Sequence, residues 1–215
     1  MRIDCHTHPL AHRYYYDGQH PETLTERDKN DIKAMLELAI RRGLDAVAVT
    51  DHDLALSGLW ASEYARRAMP SLRVIAGCEC ELYFMGEWIH ILVLNLCYPL
   101  AYTPYTSPDD LAAQARVQGA FTVLAHPMCY SESVYHNLKN ILDGVEYRNG
   151  AQEFAGRSSY QSVLDQDGYT GLRLYNSDHH YPTQPAKQQW NAATEISHED
   201  FVRWFGPILP KEANR

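Results

Sequence analysis

Hydrophobic residues recur along this chain in two alternating patterns. Short apolar and β-branched runs predict strands, and apolar residues spaced three and four apart predict amphipathic helices. The predicted strands cover residues 2–5, 46–50, 72–76, 82–84, 89–94, 121–125, 144–147 and 172–176. The predicted helices cover residues 30–42, 57–69, 107–119, 131–143 and 158–167. Strands that alternate with helices indicate an α/β fold with a largely parallel sheet, in which 82–84 and 89–94 form a hairpin around Gly86.

Composition narrows the class of protein. The chain has 215 residues, of which 45% are hydrophobic, enough for one well-buried core and short for two, so we expect a single domain over residues 1–215. The formal net charge of −8 disfavours an extended nucleic-acid partner, although a small anion can still bind. The five cysteines are an odd number, which favours reduced thiols and a cytoplasmic location. We expect no membrane association, since the longest apolar run is too short to span a bilayer.

Residues that commonly bind metals follow nearly every predicted strand. In β/α barrels the carboxyl ends of the strands form the mouth where active sites are built, so residues far apart in sequence would meet there. The candidates in these positions are His6, His8, His52, Glu79, His126, Asp178 and His180, and His90 is a further candidate within the predicted strand 89–94.

The spacing of two of these pairs strengthens the prediction. A single histidine at a strand end is more often a hydrogen-bonded structural residue than a metal ligand. Alternate residues of a strand point to the same face, however, so His6 and His8 can bind one ion. Asp178 and His180 repeat the same spacing.

These motifs, in this order, resemble those of the PHP (polymerase and histidinol phosphatase) domain superfamily. The resemblance spans residues 1 to 182, and Glu146 and Asn149 also resemble a strand that precedes the last motif of that family. The matching segments are His6-Thr7-His8, Thr50-Asp51-His52, Gly77-Cys78-Glu79, His90, Ala125-His126-Pro127 and Ser177-Asp178-His179-His180.

The resemblance implies a distorted (β/α)7 barrel, similar to a TIM barrel, that holds two or three divalent metal ions. Carried over by position, the first metal would be held by His6, His8, Glu79 and Asp178. Glu79 would bridge to a second metal, which would also be held by His90 and His126. The third metal would be held by His52 and His180. The remaining ligand of the third metal is predicted to be Asp17, with His12 as the alternative.

The chemistry of these residue types agrees with a metal-dependent phosphoesterase. Imidazole and carboxylate ligands suit Zn, Mn or Fe, and ligand type alone does not choose among them. A hydroxide shared by two ions could attack a small phosphorylated substrate in line, with Glu79, Asp178 and His180 as the predicted catalytic residues. Arg13, Arg148 and His179 are candidates for binding the phosphate, although a surface arginine without a ligand is the more common case.

Two other classes of function remain open at this point. One is a hydrolase of C–N bonds related to the amidohydrolases, which share His-x-His on a β/α barrel but commonly place a lysine between the metals. The other is a non-catalytic PHP module that acts as a scaffold. The sequence leaves the substrate, the metal and the oligomeric state open.

Overall fold

A computed structural model describes residues 1–15, 20–180 and 191–206. Its strands are β1 (Arg2–Asp4), β2 (Thr7–His8), β3 (Ala46–Val49), β4 (Arg73–Phe84), β5 (Glu87–Leu94), β6 (Phe121–Leu124), β7 (Gly144–Asn149), β8 (Leu172–Asn176), β9 (His179–His180) and β10 (Thr194–Glu195). Its α-helices are α1 (Glu26–Arg41), α2 (Ala55–Ala68), α3 (Pro108–Val117), α4 (Glu132–Leu138), α5 (Gly150–Phe154), α6 (Gln161–Gln166) and α7 (His198–Phe205). A 3₁₀ turn covers Pro127–Cys129.

Eight strands form one nearly closed sheet in the order β10-β1-β3-β4-β5-β6-β7-β8. The two edge strands are joined through the side chain of Thr194 in β10: its Oγ1 accepts from the backbone N–H of Tyr175 in β8 over 2.8 Å and donates to the carbonyl O of Tyr175 over 3.1 Å. Without the two-residue β10, the wall has seven strands. The predicted α/β class, a distorted TIM-barrel-like (β/α)7 barrel, is therefore confirmed.

The distortion comes from β5. This strand is antiparallel to both of its neighbours, whereas β1, β3 and β4 run parallel to one another and so do β6, β7 and β8. A two-residue turn at Met85 and Gly86, both at positive φ, joins β4 directly to β5. Such hairpin turns need residues that tolerate the left-handed region, and glycine does so at the lowest cost.

One predicted boundary is wrong. The sequence suggested that a strand ends at Ala76 and that Glu79 follows it, but β4 is continuous over 12 residues and carries Glu79 near its middle. Its ladder to β5 is unbroken from the Gly77–Leu94 pair to the Phe84–Glu87 pair. Glycine and glutamate disfavour strands locally, and here the long-range pairing with β5 outweighs that preference.

The two faces of the sheet have different surroundings. Outward-facing residues of β4 and β5 lie in a buried cluster with α3 and α4; these are Cys78, Cys80, Leu82, Ile89 and Ile91. The lower part of the barrel interior is filled by a second apolar cluster that includes Ile3, Ala48, Ile75, Leu92, Leu94, Val123 and Leu174. Because side chains alternate along a strand, Glu79 and its neighbours at odd positions of β4 face the barrel interior.

Several helix bounds differ from the prediction. Helix α1 begins four residues earlier than predicted, because Thr25 and Asp28 form a reciprocal capping box at its start. Helix α4 ends at Leu138, five residues before the predicted end, and α6 is also shorter. The two elements after residue 190, β10 and α7, were not predicted.

Helix α2 packs unusually close to the sheet at Gly58. A Cβ atom there would lie 2.7 Å from the backbone N and O of Gly77 and 2.7 Å from the carbonyl O of Val49. Backbone atoms of two strands cannot move independently of the barrel. We therefore expect Gly58→Ala to lower the free energy of unfolding by about 3 kcal/mol, at the upper end of overpacking costs.

Urea unfolding followed by circular dichroism measures this effect. Ser62→Ala, four residues along the same helix, is the matched control and should change the unfolding free energy by less than about 0.5 kcal/mol. Equal stability of Gly58→Ala and wild type would show that α2 is not held as close to the sheet as described here.

The described ranges contain no helix with the length and apolar character that crossing a membrane requires. All five cysteines are unpaired, with Cys5, Cys78 and Cys80 buried.

Candidate metal centre

Eight of the nine predicted ligands lie in the described ranges, and these eight converge at one end of the barrel, which we call the mouth. His6 and His8 follow β1, and His52 follows β3. His90 reaches the same level from the antiparallel strand β5, because it pairs directly with Glu81 of β4. The other members arrive from the ends of β6 and β8; they are His126, Asp178 and His180.

The first carboxylate oxygen of Glu79 is surrounded by three imidazoles. Its Oε1 lies 3.1 Å from Nε2 of His6, 3.0 Å from Nδ1 of His90 and 3.1 Å from Nε2 of His126. Glu79 is only 1% exposed, so its carboxylate has little access to water.

The second oxygen of Glu79 faces a different pair. Its Oε2 lies 2.9 Å from Nδ1 of His52 and 3.3 Å from Nε2 of His8. The two oxygens therefore point to two groups of nitrogen atoms, the arrangement expected of a carboxylate that bridges two cations.

Asp178 completes the cluster on the side of His6 and His8. Its Oδ1 lies 3.5 Å from Nε2 of His6, 3.4 Å from Nε2 of His8 and 3.5 Å from Nδ1 of His180. The Nε2 atoms of His180 and His52 face each other at 3.5 Å. The eight residues thus form one connected set.

The donor atoms fit divalent cations. Nε2 of His6, Nε2 of His8, Nδ1 of His52 and Oε2 of Glu79 are buried, yet none makes a well-directed hydrogen bond within the protein. Burying a polar atom without a hydrogen-bond partner costs free energy of folding. Several such atoms that face one another therefore indicate that a cation binds between them. Four sets of three have ligand atoms within 4.8 Å of one another: His6, His8 and Asp178; His6, Glu79 and His126; His52, Glu79 and His90; and His8, His52 and His180.

The charges in the cluster support the same conclusion. Burial alone would raise the pKa of Glu79, but the charges of His90, His6 and His52 outweigh it and hold the pKa well below its usual value. The pKa of Asp178 is likewise held well below its usual value, against burial, by His6 and His8. Both carboxylates are therefore ionised inside the barrel and need positive charge beside them.

The histidines divide into two kinds. Burial lowers the pKa of His90, but Glu79 and Glu81 outweigh it and raise it to about 9. Burial and the charge of His8 lower the pKa of His52 to about 4 and that of His180 to about 3. Protons thus supply part of the positive charge around the carboxylates, and a divalent cation would displace them, because metal ligands must be deprotonated.

Two ligand positions have strained backbones. His126 has φ of 29° and Asp178 has φ of 52°, in the left-handed region that residues with a Cβ seldom adopt. Such conformations persist only where the surrounding structure enforces them, and they cluster at functional sites. Here His126 faces Glu79 at the end of β6, and Asp178 faces His6 and His8 after the end of β8.

Glu146 supports the cluster from behind. It is fully buried, and its Oε1 lies 3.2 Å from Nδ1 of His6, on the ring edge opposite the nitrogen that faces Glu79. Its Oε2 accepts from the backbone N–H of His126 over 2.8 Å and from Nδ2 of Asn149 over 2.9 Å. A carboxylate behind a histidine fixes the ring and its tautomer. The sequence placed Glu146 in a motif but assigned it no role.

We expect Glu146→Gln to weaken metal binding by about 10- to 100-fold, the usual effect of removing such a supporting carboxylate. Titration of the chelated protein with Zn²⁺ and a competing chelating dye measures the affinity. Glu132→Gln, at the exposed start of α4, is the matched control and should leave the affinity unchanged. An unchanged affinity in Glu146→Gln would show that His6 needs no partner behind it.

The loop after His8 passes over the cluster. The ring centroid of His12 lies 4.8 Å from that of His180 and 5.4 Å from that of His52. Tyr15 lies beside His52, with 4.4 Å between ring centroids and the two rings tilted by 34°. Asp17, the first choice for the remaining ligand of a third metal, lies outside the described residues. The choice between Asp17 and His12 stays a prediction.

The three residues predicted to bind phosphate are engaged elsewhere in this structure. The guanidinium of Arg13 forms ion pairs with Asp28 and Asp31 of α1. Arg148 forms an ion pair with Glu153, with 2.6 Å between its Nε and Oε1 of Glu153, and its guanidinium lies over Tyr175, 4.0 Å from the ring centroid. His179 is fully buried in β9, which pairs with β2. Contact of any of them with a substrate stays a prediction.

Two further residues near the cluster were not among the predicted site residues. Glu81 accepts a hydrogen bond from the hydroxyl of Tyr15, and its Oε2 lies 3.4 Å from Nε2 of His90. The hydroxyl of Tyr130 accepts from the backbone N–H of His90 over 2.9 Å and lies 3.0 Å from Nδ1 of His126. The spacing of Glu81 from Glu79, two residues along one strand, would have identified it had the length of β4 been recognised.

Similarity to other proteins is seen in structure and not in sequence. No protein-family model and no curated protein matches the sequence. A Bifidobacterium adolescentis protein provisionally assigned as a metal-dependent phosphoesterase has 16% identity, a TM-score of 0.61 and 94% coverage of both chains. An amidohydrolase from Chromobacterium violaceum, solved with bound sulfate and no metal, has 13% identity and a TM-score of 0.61, covering 92% of this chain and 93% of its own.

A third similar structure is PsfC from Pseudomonas syringae, with 20% identity and a TM-score of 0.54 over 84% of this chain and 77% of its own. At these identities the similarity is one of fold.

Proposed function

We propose that this protein is a metal-dependent phosphoesterase of the PHP type, acting on a small phosphorylated substrate. The observation that carries the proposal is Glu79, a buried carboxylate whose two oxygens face separate groups of histidine nitrogens. One structurally similar protein is provisionally assigned as a phosphoesterase, and another binds sulfate, which has the shape and charge of a phosphoryl group.

The positions of the residues in the cluster suggest which cation each of them would bind. Glu79 would hold two cations close together, one at Oε1 with His6, His90 and His126 and the other at Oε2 with His8 and His52. Asp178 would join from the side of His6 and His8, and His180 from the side of His52. The resemblance to the PHP superfamily implies a different grouping, in which His6 and His8 share one cation and His52 belongs to the third. When bound, two or three ions of Zn, Mn or Fe would supply a Lewis acid that activates water and neutralises the charge of the phosphoryl oxygens.

A substrate would approach from the mouth side of the cluster. The side chains of His90 and His180 are 18% and 21% exposed, whereas those of His6 and His8 are fully buried. His6 and His8 therefore anchor the cluster, and the more exposed members face the incoming phosphoryl group. Asp178 and His180 lie beside that approach, so through the cations that they would hold they would orient the attacking water and the phosphoryl group.

An amidohydrolase-like reaction on a C–N bond is the second candidate, favoured by the name of one similar structure. Enzymes of that class commonly place a lysine between their metals. The lysines in the described ranges are engaged elsewhere: Lys29 with Glu26, Lys33 with the rings of Trp60 and Tyr64, and Lys139 with Asp167. Glu79 occupies the bridging position instead.

A screen for phosphate release tests the proposal. The protein is incubated with Mn²⁺ or Zn²⁺ and with nucleotides, sugar phosphates and histidinol phosphate, and a parallel screen offers amides and cyclic ureides. We expect release of inorganic phosphate from at least one ester. Hydrolysis confined to C–N bonds would support the second candidate, and binding of metal without hydrolysis of either class would favour a scaffold role.

A further inference from the structure

The β4–β5 hairpin extends past the metal cluster at the mouth. β4 has 12 residues and β5 has eight, whereas the other strands in the described part of the sheet have two to six. β3 stops at Val49, which pairs with Ala76, so residues 77–84 of β4 continue beyond it. β6 pairs with β5 only as far as Ile91. The end of the hairpin therefore projects past both neighbouring strands.

The inner face of this hairpin connects the cluster to two aromatic residues. Along β4, alternate positions place Glu79, Glu81 and Tyr83 on one face. On β5, His90 pairs with Glu81 and Trp88 pairs with Tyr83, so both lie on that same face. The face thus begins with metal ligands and ends with aromatic rings.

The intervening residues confirm this orientation. Leu82 and Ile89, which alternate with Tyr83 and Trp88, are fully buried in the outer core under the helices. Tyr83 and Trp88 must therefore project to the opposite, mouth-facing side.

The rings form an exposed surface, which we call the aromatic platform (Tyr83, Trp88 and Tyr105). The ring centroids of Tyr83 and Trp88 are 5.2 Å apart, and those of Tyr83 and Tyr105 are 6.2 Å apart. The three residues are 43%, 50% and 77% exposed. Clustered aromatic surface beside a polar site indicates a contact with a ligand.

The spacing limits what such a ligand can be. Four residues of strand separate Tyr83 from Glu79, about 13 Å along the sheet. A ring bonded directly to the phosphoryl group would fall short of the platform, whereas a ring joined to it through a sugar-sized linker would reach. Glu81 lies midway; its side chain is 23% exposed, and a carboxylate there can accept hydrogen bonds from hydroxyl groups.

We infer that the aromatic platform is a subsite for the leaving group and that the substrate is a nucleotide-like phosphoester. Its planar heteroaromatic ring stacks on Trp88 and meets Tyr83 at its edge, because the planes of those two side chains are inclined at 60°. Its hydroxyl-bearing linker lies beside Glu81, and its phosphoryl group lies at the metal cluster. The inference rests on the proposed phosphoesterase function, because it takes the phosphoryl position as one end of the substrate. Stacking of a base on an aromatic side chain tolerates any base.

Binding of two inert analogues tests this inference without relying on turnover. One is the phosphonate analogue of adenosine monophosphate, in which CH₂ replaces the ester oxygen, and the other is the matching analogue of ribose 5-phosphate, which has no base. Their affinities for the zinc-loaded full chain are measured by isothermal titration calorimetry. We expect wild type to bind the adenosine analogue at least about tenfold more tightly than the ribose analogue, in line with the free energy that the stacking of one base contributes.

Three variants make the test specific. Trp88→Ala should reduce that preference to less than about threefold, and Trp88→Phe, which keeps a ring, should retain most of it. Tyr98→Ala is the matched control: Tyr98 is also 50% exposed, but it follows the other end of β5, away from the mouth. It should keep the wild-type preference. A purely structural role of the cross-strand pair would lower the melting temperature and leave the preference unchanged.

Each result has a distinct meaning. Equal affinities of the two analogues in wild type, or an undiminished preference in Trp88→Ala, would overturn the platform and leave the phosphoesterase proposal standing. A change in oligomeric state of Trp88→Ala in light scattering, with the preference intact, would overturn it in favour of a subunit contact. Failure of both analogues to bind would contradict the phosphoesterase proposal as well.

Discussion

Replacing Glu79 with glutamine should reduce phosphoester turnover by about three orders of magnitude or more, since a metal contributes several kcal/mol to the stabilisation of the transition state. Glutamine keeps the shape of the side chain but removes the negative charge that lies between His6, His90 and His126 on one side and His8 and His52 on the other. Without that charge, two cations at the cluster would repel each other unscreened. Bound metal should fall together with turnover.

The measurement pairs the rate of phosphate release with metal analysis of the purified variant. Glu63→Gln is the matched control, because Glu63 lies on the exposed side of α2, where it pairs with Arg66 and Arg67. It should retain wild-type turnover and metal content. Circular dichroism in the presence of chelator shows whether both variants are folded. Near-normal turnover with full metal content in Glu79→Gln would refute the bridging role and make Glu81 the next candidate.

Removing the metals should abolish activity, and adding them back should restore it. Wild type treated with chelator is expected to lose at least about 100-fold in turnover and to regain it with Mn²⁺ or Zn²⁺, since the activating Lewis acid is then missing and restored. The melting temperature should fall on chelation and rise on reloading, because an ion that binds only the folded state stabilises it.

The control for this experiment is the same chelator already saturated with zinc, which should have no effect on rate or melting temperature. Activity that survives exhaustive chelation, verified by metal analysis of the same sample, would contradict a metal-dependent reaction. Loss of activity that none of the proposed divalent ions restores would count against those metals.

The convergence of His6, His8, His52, Glu79, His90, His126, Asp178 and His180 at one end of the barrel could be predicted because most of its signals are local. His6 and His8, or Asp178 and His180, carry their geometry in their spacing, and the end of a parallel strand fixes where they meet. The alternation of strands and helices predicted only a largely parallel sheet, and the resemblance to the PHP superfamily implied that this sheet closes into a barrel. The meeting of the side chains at one end needed only the period of each strand and the rule that parallel strands end on one side.

Other features depended on contacts between distant segments. The full length of β4 is set by pairing with β5, so the position of Glu79 within a strand was hidden by the low strand preference of Gly77 and of Glu79 itself. Glu146 acquires its importance from residues distant in sequence, the ring of His6 and the backbone of His126. The aromatic platform was missed for the same reason. The predicted hairpin began at residue 82, so Tyr83 and Glu79 were not recognised as residues of one strand.

Anomalous X-ray diffraction from crystals grown with Zn²⁺, recorded on both sides of the zinc absorption edge, tests the central claim most directly. We predict at least two anomalous peaks flanking the Glu79 carboxylate, each within about 2.3 Å of a Glu79 oxygen and of the histidine nitrogens that face it. Zinc bound elsewhere on the protein, with no peak beside Glu79, would contradict the account.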